Sequence, residues 1–245
     1  TGVTNLVSNT GVVASDVSAV GTARHAIAAT EYGEDKGIFG FGYTTGGSTA
    51  GQESMTNLVS NSGVVSTDVT GVGTARSQLA ACEYGEDKGI FGFGTRAGSY
   101  VGMTNLVSNA GVVATDVTAV GTGRYLLAAC EYGEDKGIFG FGDTGGATNV
   151  STTNLVSNAG VVATDTTGVG TARNGPAACG YGGDKGIFGF GNDGSVQSMT
   201  NLVSNAGVVA TDTTGVGTAR TRAKACEYGG DKAIFAYGNS GSVTN

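Results

Sequence analysis

The chain has no tryptophan, one proline, one histidine and three methionines in 245 residues, and only 13 per cent of its residues are charged. One histidine leaves little for acid–base or nucleophilic chemistry, because any Ser/His/Asp or Cys/His arrangement would have to use His25. A non-catalytic protein is therefore expected. Thirteen lysines and arginines against twenty acidic residues give a net charge of −7. That is too little positive charge to neutralise a row of phosphates, which excludes nucleic acid as a partner. No apolar run approaches the roughly 18 residues of a membrane span, so no membrane insertion is expected and the chain reads as soluble. The four cysteines show no CxxC spacing, and with a single histidine they do not make a zinc set. No metal and no cofactor is expected. Hydrophobic residues at 39 per cent are too many for a disordered tract, and glycine does not recur at every third position as collagen requires.

What is abundant is glycine, 46 residues, in a chain that repeats itself. The hexapeptide TNLVSN begins at Thr4, Thr56, Thr104, Thr153 and Thr200, at intervals of 47 to 52 residues. Five repeats thus fill residues 1–245 as a single domain. Each carries two constant blocks, in the second copy TNLVSNSGVVSTDVTGVGTAR (Thr56 to Arg76) and AACEYGEDKGIFGFG (Ala80 to Gly94).

β-Branched and aromatic residues alternate with small ones between glycine-bearing turns, which predicts four strands per repeat and no helix. Strand one spans about Ser77 to Tyr84, and Gly85 to Asp87 form a hairpin into strand two, Lys88 to Gly94. The loop Thr95 to Gly102 leads to strand three near Met103 to Ser108 and strand four near Val112 to Val120. Four strands in 40 to 50 residues is the size of one β-propeller blade. The fold expected is all-β, a five-bladed β-propeller of four-stranded blades. Alternation puts Phe91 and Phe93 on one face of strand two and Gly92 on the other, so the phenylalanines of one blade would seat on the glycines of the next.

The segment YGGDKGIFGFG, Tyr181 to Gly191, preceded by Arg173, resembles kelch repeats, which carry an arginine before the innermost strand and a YGG turn into an aromatic second strand. The GTAR, YGxDKxIF and TNLVSN blocks also resemble repeats in structural proteins of marine tailed phages. These resemblances imply a propeller and a virion or extracellular setting.

The chain starts with strand three and stops after strand two, so one blade is expected to be completed by strands from both termini, which removes an open edge. Val243 to Asn245 repeat Val3 to Asn5, and one of these two tails is expected to be frayed.

Cys82, Cys130, Cys179 and Cys226 share one column of the repeat, where the first copy has Thr30, and are expected to be free, buried thiols. Beside them, Glu31, Glu83, Glu131 and Glu227 share a column with Gly180. Facing an axial channel, they would repel one another and either recruit a cation or sit hydrated at its mouth. Asp68 and Arg76 are too far apart along an extended strand to pair. Asp68 is placed toward the hairpin carrying Lys88, with its charge tying blades together.

The copies differ in two places: the three residues after each arginine, and the loop between strands two and three. Because strands alternate in direction, both must emerge on one side, opposite the constant YGEDK hairpins. Varied loops on a rigid scaffold are what a recognition surface requires. The candidate ligand-binding residues are His25, Tyr43, Gln78, Tyr100, Tyr125, Asn174 and Arg222, which mix hydrogen-bonding groups with flat rings as carbohydrate sites do. The function expected is recognition of a carbohydrate or other cell-surface ligand; the alternative is a structural spacer with no ligand of its own.

Overall fold

In the computed structural model, residues 2–44 and 51–241 are described. They form small antiparallel sheets joined by turns, with no helix among the described residues. No helix, accordingly, is long and apolar enough to cross a membrane. Of the two tails of which one is expected to fray, Val3 to Asn5 is described, while Val243 to Asn245 and part of the loop after Tyr43 lie outside the described residues.

Each sheet opens with a hairpin whose chemistry the repeat dictates. In the first, β1 (Ala28–Tyr32) pairs with β2 (Lys36–Gly40), which pairs in turn with β3 (Thr56–Val59). The second sheet is β4 (Ala80–Tyr84), β5 (Lys88–Gly92) and β8 (Thr104–Val107), with the ribbon β6 (Thr95–Arg96) and β7 (Ser99–Tyr100) in its variable loop. The third is β9 (Ala128–Tyr132), β10 (Lys136–Gly140) and β11 (Thr153–Val156), and the fourth is β12 (Ala177–Tyr181), β13 (Lys185–Asn192) and β14 (Val196–Val203). The last sheet, among the described residues, is the pair β15 (Lys224–Tyr228) and β16 (Lys232–Ala236). The opening strands lie side by side in chain order: β1 against β4, β4 against β9, β9 against β12, and β12 against β15.

The fourth strand is reduced to isolated bridges, such as Thr104 with Val117 and Val107 with Val113. Asp116 accounts for the break: its carboxylate accepts from Asn105 Nδ2 at 2.9 Å and from Thr74 Oγ1 in the preceding repeat. A segment tethered sideways in this way cannot run on as a regular ladder. The same bonds correct the expected place of the aspartate column. Asp68 turns away from the Lys88 hairpin and takes Thr22 Oγ1 at 2.7 Å, Asn57 Nδ2 at 2.9 Å and Arg24 Nη1 at 3.4 Å, so it does tie consecutive repeats together. Lys88 pairs instead with its neighbour Asp87.

The phenylalanines also depart from simple alternation. Phe93 has φ of 64°, which ends the strand and sends its ring to the opposite side from that of Phe91. Phe91 therefore packs backward on Phe41, and Phe93 packs forward on Phe139, each pair at 5.2 Å between centroids. The glycine seats are real: a Cβ on Gly40 would lie 2.8 Å from Phe91 Cζ, and one on Gly92 would lie 2.6 Å from Phe139 Cζ. Only glycine admits an aromatic ring that close to the backbone. Over three of the four forward-facing rings lies a fully buried arginine, Arg76 on Phe41 at 4.2 Å, Arg124 on Phe93 and Arg173 on Phe141 both at 4.1 Å, and over the fourth, Phe190, lies the half-buried Arg220 at 3.8 Å.

The two ends of the array differ from its interior. Among the described residues β16 pairs only with β15, and the segment joined by the Thr4 to Val17 bridge does not extend that sheet. Among the described residues no strand from the N-terminal segment is paired with β15 or β16 to make the composite sheet expected from both termini. Tyr228, Ile234 and Tyr237 are correspondingly exposed at one end, as are Leu6, Val7 and Val13 at the other. Cys82, Cys130 and Cys179 are buried free thiols, with Cys179 pushed up to about 12 by burial. Cys226, in the last repeat, is free but exposed, a correction that follows from the lack of a following sheet to cover it.

Candidate functional site

The first strands of all five repeats line a row of three adjoining cavities that runs from an acidic base to a mouth among the variable residues. Its base, about 560 Å³, is walled by the column Glu31, Glu83, Glu131, Gly180 and Glu227 with Cys82, Cys130, Cys179 and Cys226 beside it. Next to it is a cavity of about 410 Å³ walled mainly by alanines, among them Ala28, Ala80, Ala128, Ala177 and Ala225. The mouth, about 340 Å³, is lined by His25, Ala26, Ile27, Tyr43, Gln78, Leu79, Leu126, Leu127, Gly175, Pro176, Arg222, Ala223 and Lys224.

At the base, burial and then the neighbouring carboxylates of Glu131 and Glu31 push the Glu83 carboxyl up to about 7. Burial, followed by Glu227 and Glu31, raises Glu131 as well. Gly180 fits this crowding, since a Cβ there would lie 2.8 Å from Glu227 Oε2 and 3.0 Å from Glu131 Oε1. No group of metal-binding side chains is found among the described residues. A carboxyl raised in the folded state keeps its proton where the unfolded chain has lost it. Its contribution is present below about pH 4.5 and is lost as pH rises through about 7. The melting temperature should therefore fall between pH 5 and pH 8, and Glu83→Gln should flatten that fall. The interval avoids the aspartates of the inter-repeat ties. Partial burial works against their charge, but bonds from Thr and Asn hold them below the usual carboxylate range. A melting temperature that rises from pH 5 to pH 8 in the parent chain would contradict the crowded base.

At the mouth, a collar of backbone hydrogen bonds joins the repeats. The N–H of Gln78 donates to Ala26 O, that of Leu126 to Gln78 O, that of Gly175 to Leu126 O and that of Arg222 to Gly175 O. All five collar residues have φ between 51° and 60°, although four are not glycine. Backbone held in this region by non-glycine residues costs roughly 1 kcal/mol each and persists where the surroundings fix it. The collar thus projects varied side chains from a fixed run of backbone.

The two variable regions do meet, as their chain directions require. His25 bridges Tyr43, Ser77 bridges Thr95, Tyr125 bridges Asp143, Asn174 bridges Asn192 and Thr221 bridges Asn239. Of the seven candidate residues, His25, Tyr43, Gln78 and Arg222 line the mouth together. The rings of His25 and Tyr43 meet edge to face with centroids 3.6 Å apart. Tyr100 and Tyr125 stack at 4.9 Å with 21° between their planes, beside the mouth but outside its lining. The Tyr125 hydroxyl is raised by burial, then by Asp143 and Tyr100, and lowered by Arg222, which places Arg222 within electrostatic reach. Asn174 is occupied by a bond from its Nδ2 to Asn149 Oδ1 at 2.8 Å and stands apart from the mouth.

Sequence reasoning missed Lys224. It stands in the column that holds Ala28, Ala80, Ala128 and Ala177 in the other repeats, and that break in an otherwise uniform column was the available signal. With Arg222 it puts two cations in the lining, neither in an ion pair among the described residues, and no carboxylate lines the mouth. The row of cavities is therefore polarised, cationic and aromatic at the mouth and acidic at the base. No family model matches the chain, and no curated protein matches it.

Proposed function

We propose that the five sheets are the blades of a five-bladed β-propeller closed between repeats five and one, and that the mouth of its axial cavity binds an acidic carbohydrate. Closure is supported by the common cavity: β1 and β15, the first and last inner strands, both wall it with the three between them. Such a protein acts by recognition, in keeping with a virion or extracellular setting. The observation that carries the binding reading is the composition of the mouth. In a chain with net charge −7, its lining holds His25, Arg222 and Lys224 with no acidic residue, next to the Tyr43 ring and the Gln78 amide. A sugar carboxylate or sulfate would be held by charge-assisted bonds from Arg222 and Lys224, and a pyranose face would lie against an aromatic ring. Because the five collar residues differ, the site is single rather than fivefold.

A panel of immobilised acidic and neutral oligosaccharides tests this directly. Acidic members should bind with one site per chain. Arg222→Ala combined with Lys224→Ala should weaken binding by about a hundredfold, since each lost charge-assisted bond is worth roughly 1.5 kcal/mol. The melting temperature should stay where it was, because both side chains are exposed. Equal binding of neutral sugars, or an unaffected double variant, would contradict the assignment.

A further inference from the structure

The four interior junctions share one aromatic seat. Arg76, Leu79 and Phe91 hold the ring of Phe41, and Arg124, Leu127 and Phe139 hold that of Phe93. Arg173 and Phe188 hold Phe141, while Arg220 and Phe235 hold Phe190. The same three positions in repeat one are Arg24, Ile27 and Phe39, and they line a cavity of about 200 Å³ with Gly2, Val3, Thr4, Val20, Thr22, Asn57 and Val65. Among the described residues no ring lies over Arg24, whereas Arg76, Arg124, Arg173 and Arg220 each have one. The residue of repeat five in the column of Phe41 is Tyr237, 89 per cent exposed.

Two other contacts of the repeat are left half made at the same junction. Gly111 is capped by Leu58 and Tyr32, Gly160 by Leu106 and Tyr84, and Gly207 by Leu155 and Tyr132. At Gly63 only Leu6 is present, and the tyrosine of that column is Tyr228, exposed at 53 per cent where Tyr32, Tyr84 and Tyr132 are each at 4 per cent. Gly11 has no neighbour within 4 Å, while Leu202, the leucine of the matching column, is exposed.

From this register we propose that the cavity of Arg24, Ile27 and Phe39 is a latch seat for Tyr237, and that it is the point at which the ring opens and closes. The inference rests on the propeller reading and names the contact that closes it. One feature sets this junction apart. Where the interior junctions have glycine under the phenylalanine tip, β16 has Ala236, and a Cβ at the glycine sites would lie 2.6 to 2.9 Å from that tip. Phe39 must therefore stand off Ala236 by several tenths of an ångström, which makes the latch the loosest of the five junctions. The own chain is the occupant, because seat and ring are carried once each and their inner strands already face one cavity.

Cys226 reports the state of the latch, since closure would lay the first sheet over it as its predecessors are covered. Native-state alkylation of Cys226, followed by peptide mass spectrometry, should be slow in the parent chain relative to the urea-unfolded chain. Tyr237→Ala should speed it at least about tenfold, Tyr237→Phe should leave it close to the parent, and Ala236→Gly should slow it further. Each variant is accepted only with a cooperative thermal transition, and the Ala236→Gly arm guards against simple loss of folding. Slow alkylation that none of the three variants alters would overturn the latch while leaving a closed ring. Alkylation in the parent as fast as in urea would instead defeat the ring itself. Protection that appears only as protein concentration rises, with a dimer by light scattering, would place a second copy in the seat and overturn the assignment to the own chain.

Discussion

Replacing Arg124 by alanine should destabilise the protein by about 3–5 kcal/mol, the cost typical of removing one partner from a buried charged network. Arg124 is fully buried. Its Nε donates to Phe141 O at 2.9 Å, its Nη1 to Thr122 O at 3.2 Å and its Nη2 to Asn154 Oδ1 at 2.6 Å, while the guanidinium plane lies 4.1 Å above the Phe93 ring. Burial lowers its pKa to about 10, with Asp165 opposing the shift, so it stays charged at neutral pH. Alanine would strand three acceptors and open a cavity over Phe93. For a chain of this size the melting temperature should fall by roughly 10 °C. Arg124→Lys should recover little, because an ammonium cannot serve three acceptors in a planar fork. Urea unfolding gives the number, and a loss below about 1 kcal/mol would show that the guanidinium does not join the second and third sheets.

Truncating Phe139 to alanine should cost a similar amount, about 3–5 kcal/mol, the usual penalty for a buried aromatic. Phe139 is fully buried against Phe93 and lies with its tip over Gly92. That second contact makes the prediction specific. Gly92→Ala alone should cost about 1–3 kcal/mol by overpacking, because the new methyl would meet the ring at 2.6 Å. In the Phe139→Ala background the same methyl enters the space left by the ring, so its cost should vanish. A double-mutant cycle by urea unfolding should therefore show coupling of at least about 1 kcal/mol, and additive effects would refute the glycine seat.

Much of this architecture was legible because the chain carries its own internal comparison. The TNLVSN period fixed the number of units, and the hairpin at Gly85 to Asp87 lies between β4 and β5 as its turn chemistry implied. The meeting of the two variable regions followed from strand direction alone. What was not legible depended on single backbone angles and on contacts between repeats. Alternation cannot reveal that Phe93 adopts a left-handed φ and so faces the next sheet. Strand length misled for Asp68, because its partners Thr22 and Arg24 lie in the preceding repeat. Columns of identical residues also hid the ends: Cys226 reads like its three counterparts, yet lacks the covering sheet that buries them. At the mouth, attention to the varied triplets found Arg222 but passed over Lys224, which lies one residue beyond them.

The exchange rate of the Gly229 amide distinguishes a closed ring of five repeats from an open array. In the four preceding repeats the equivalent N–H donates to the aspartate carbonyl of the next hairpin: Gly33 to Asp87, Gly85 to Asp135, Gly133 to Asp184 and Gly182 to Asp231, at 2.7 to 2.8 Å. Ring closure supplies Asp35 as the fifth acceptor. Amide hydrogen exchange resolved by NMR should then show Gly229 protected to within about tenfold of Gly182. If Gly229 exchanges at the rate of an unstructured glycine while the other four stay protected, the five repeats form an open array and the closed propeller is wrong.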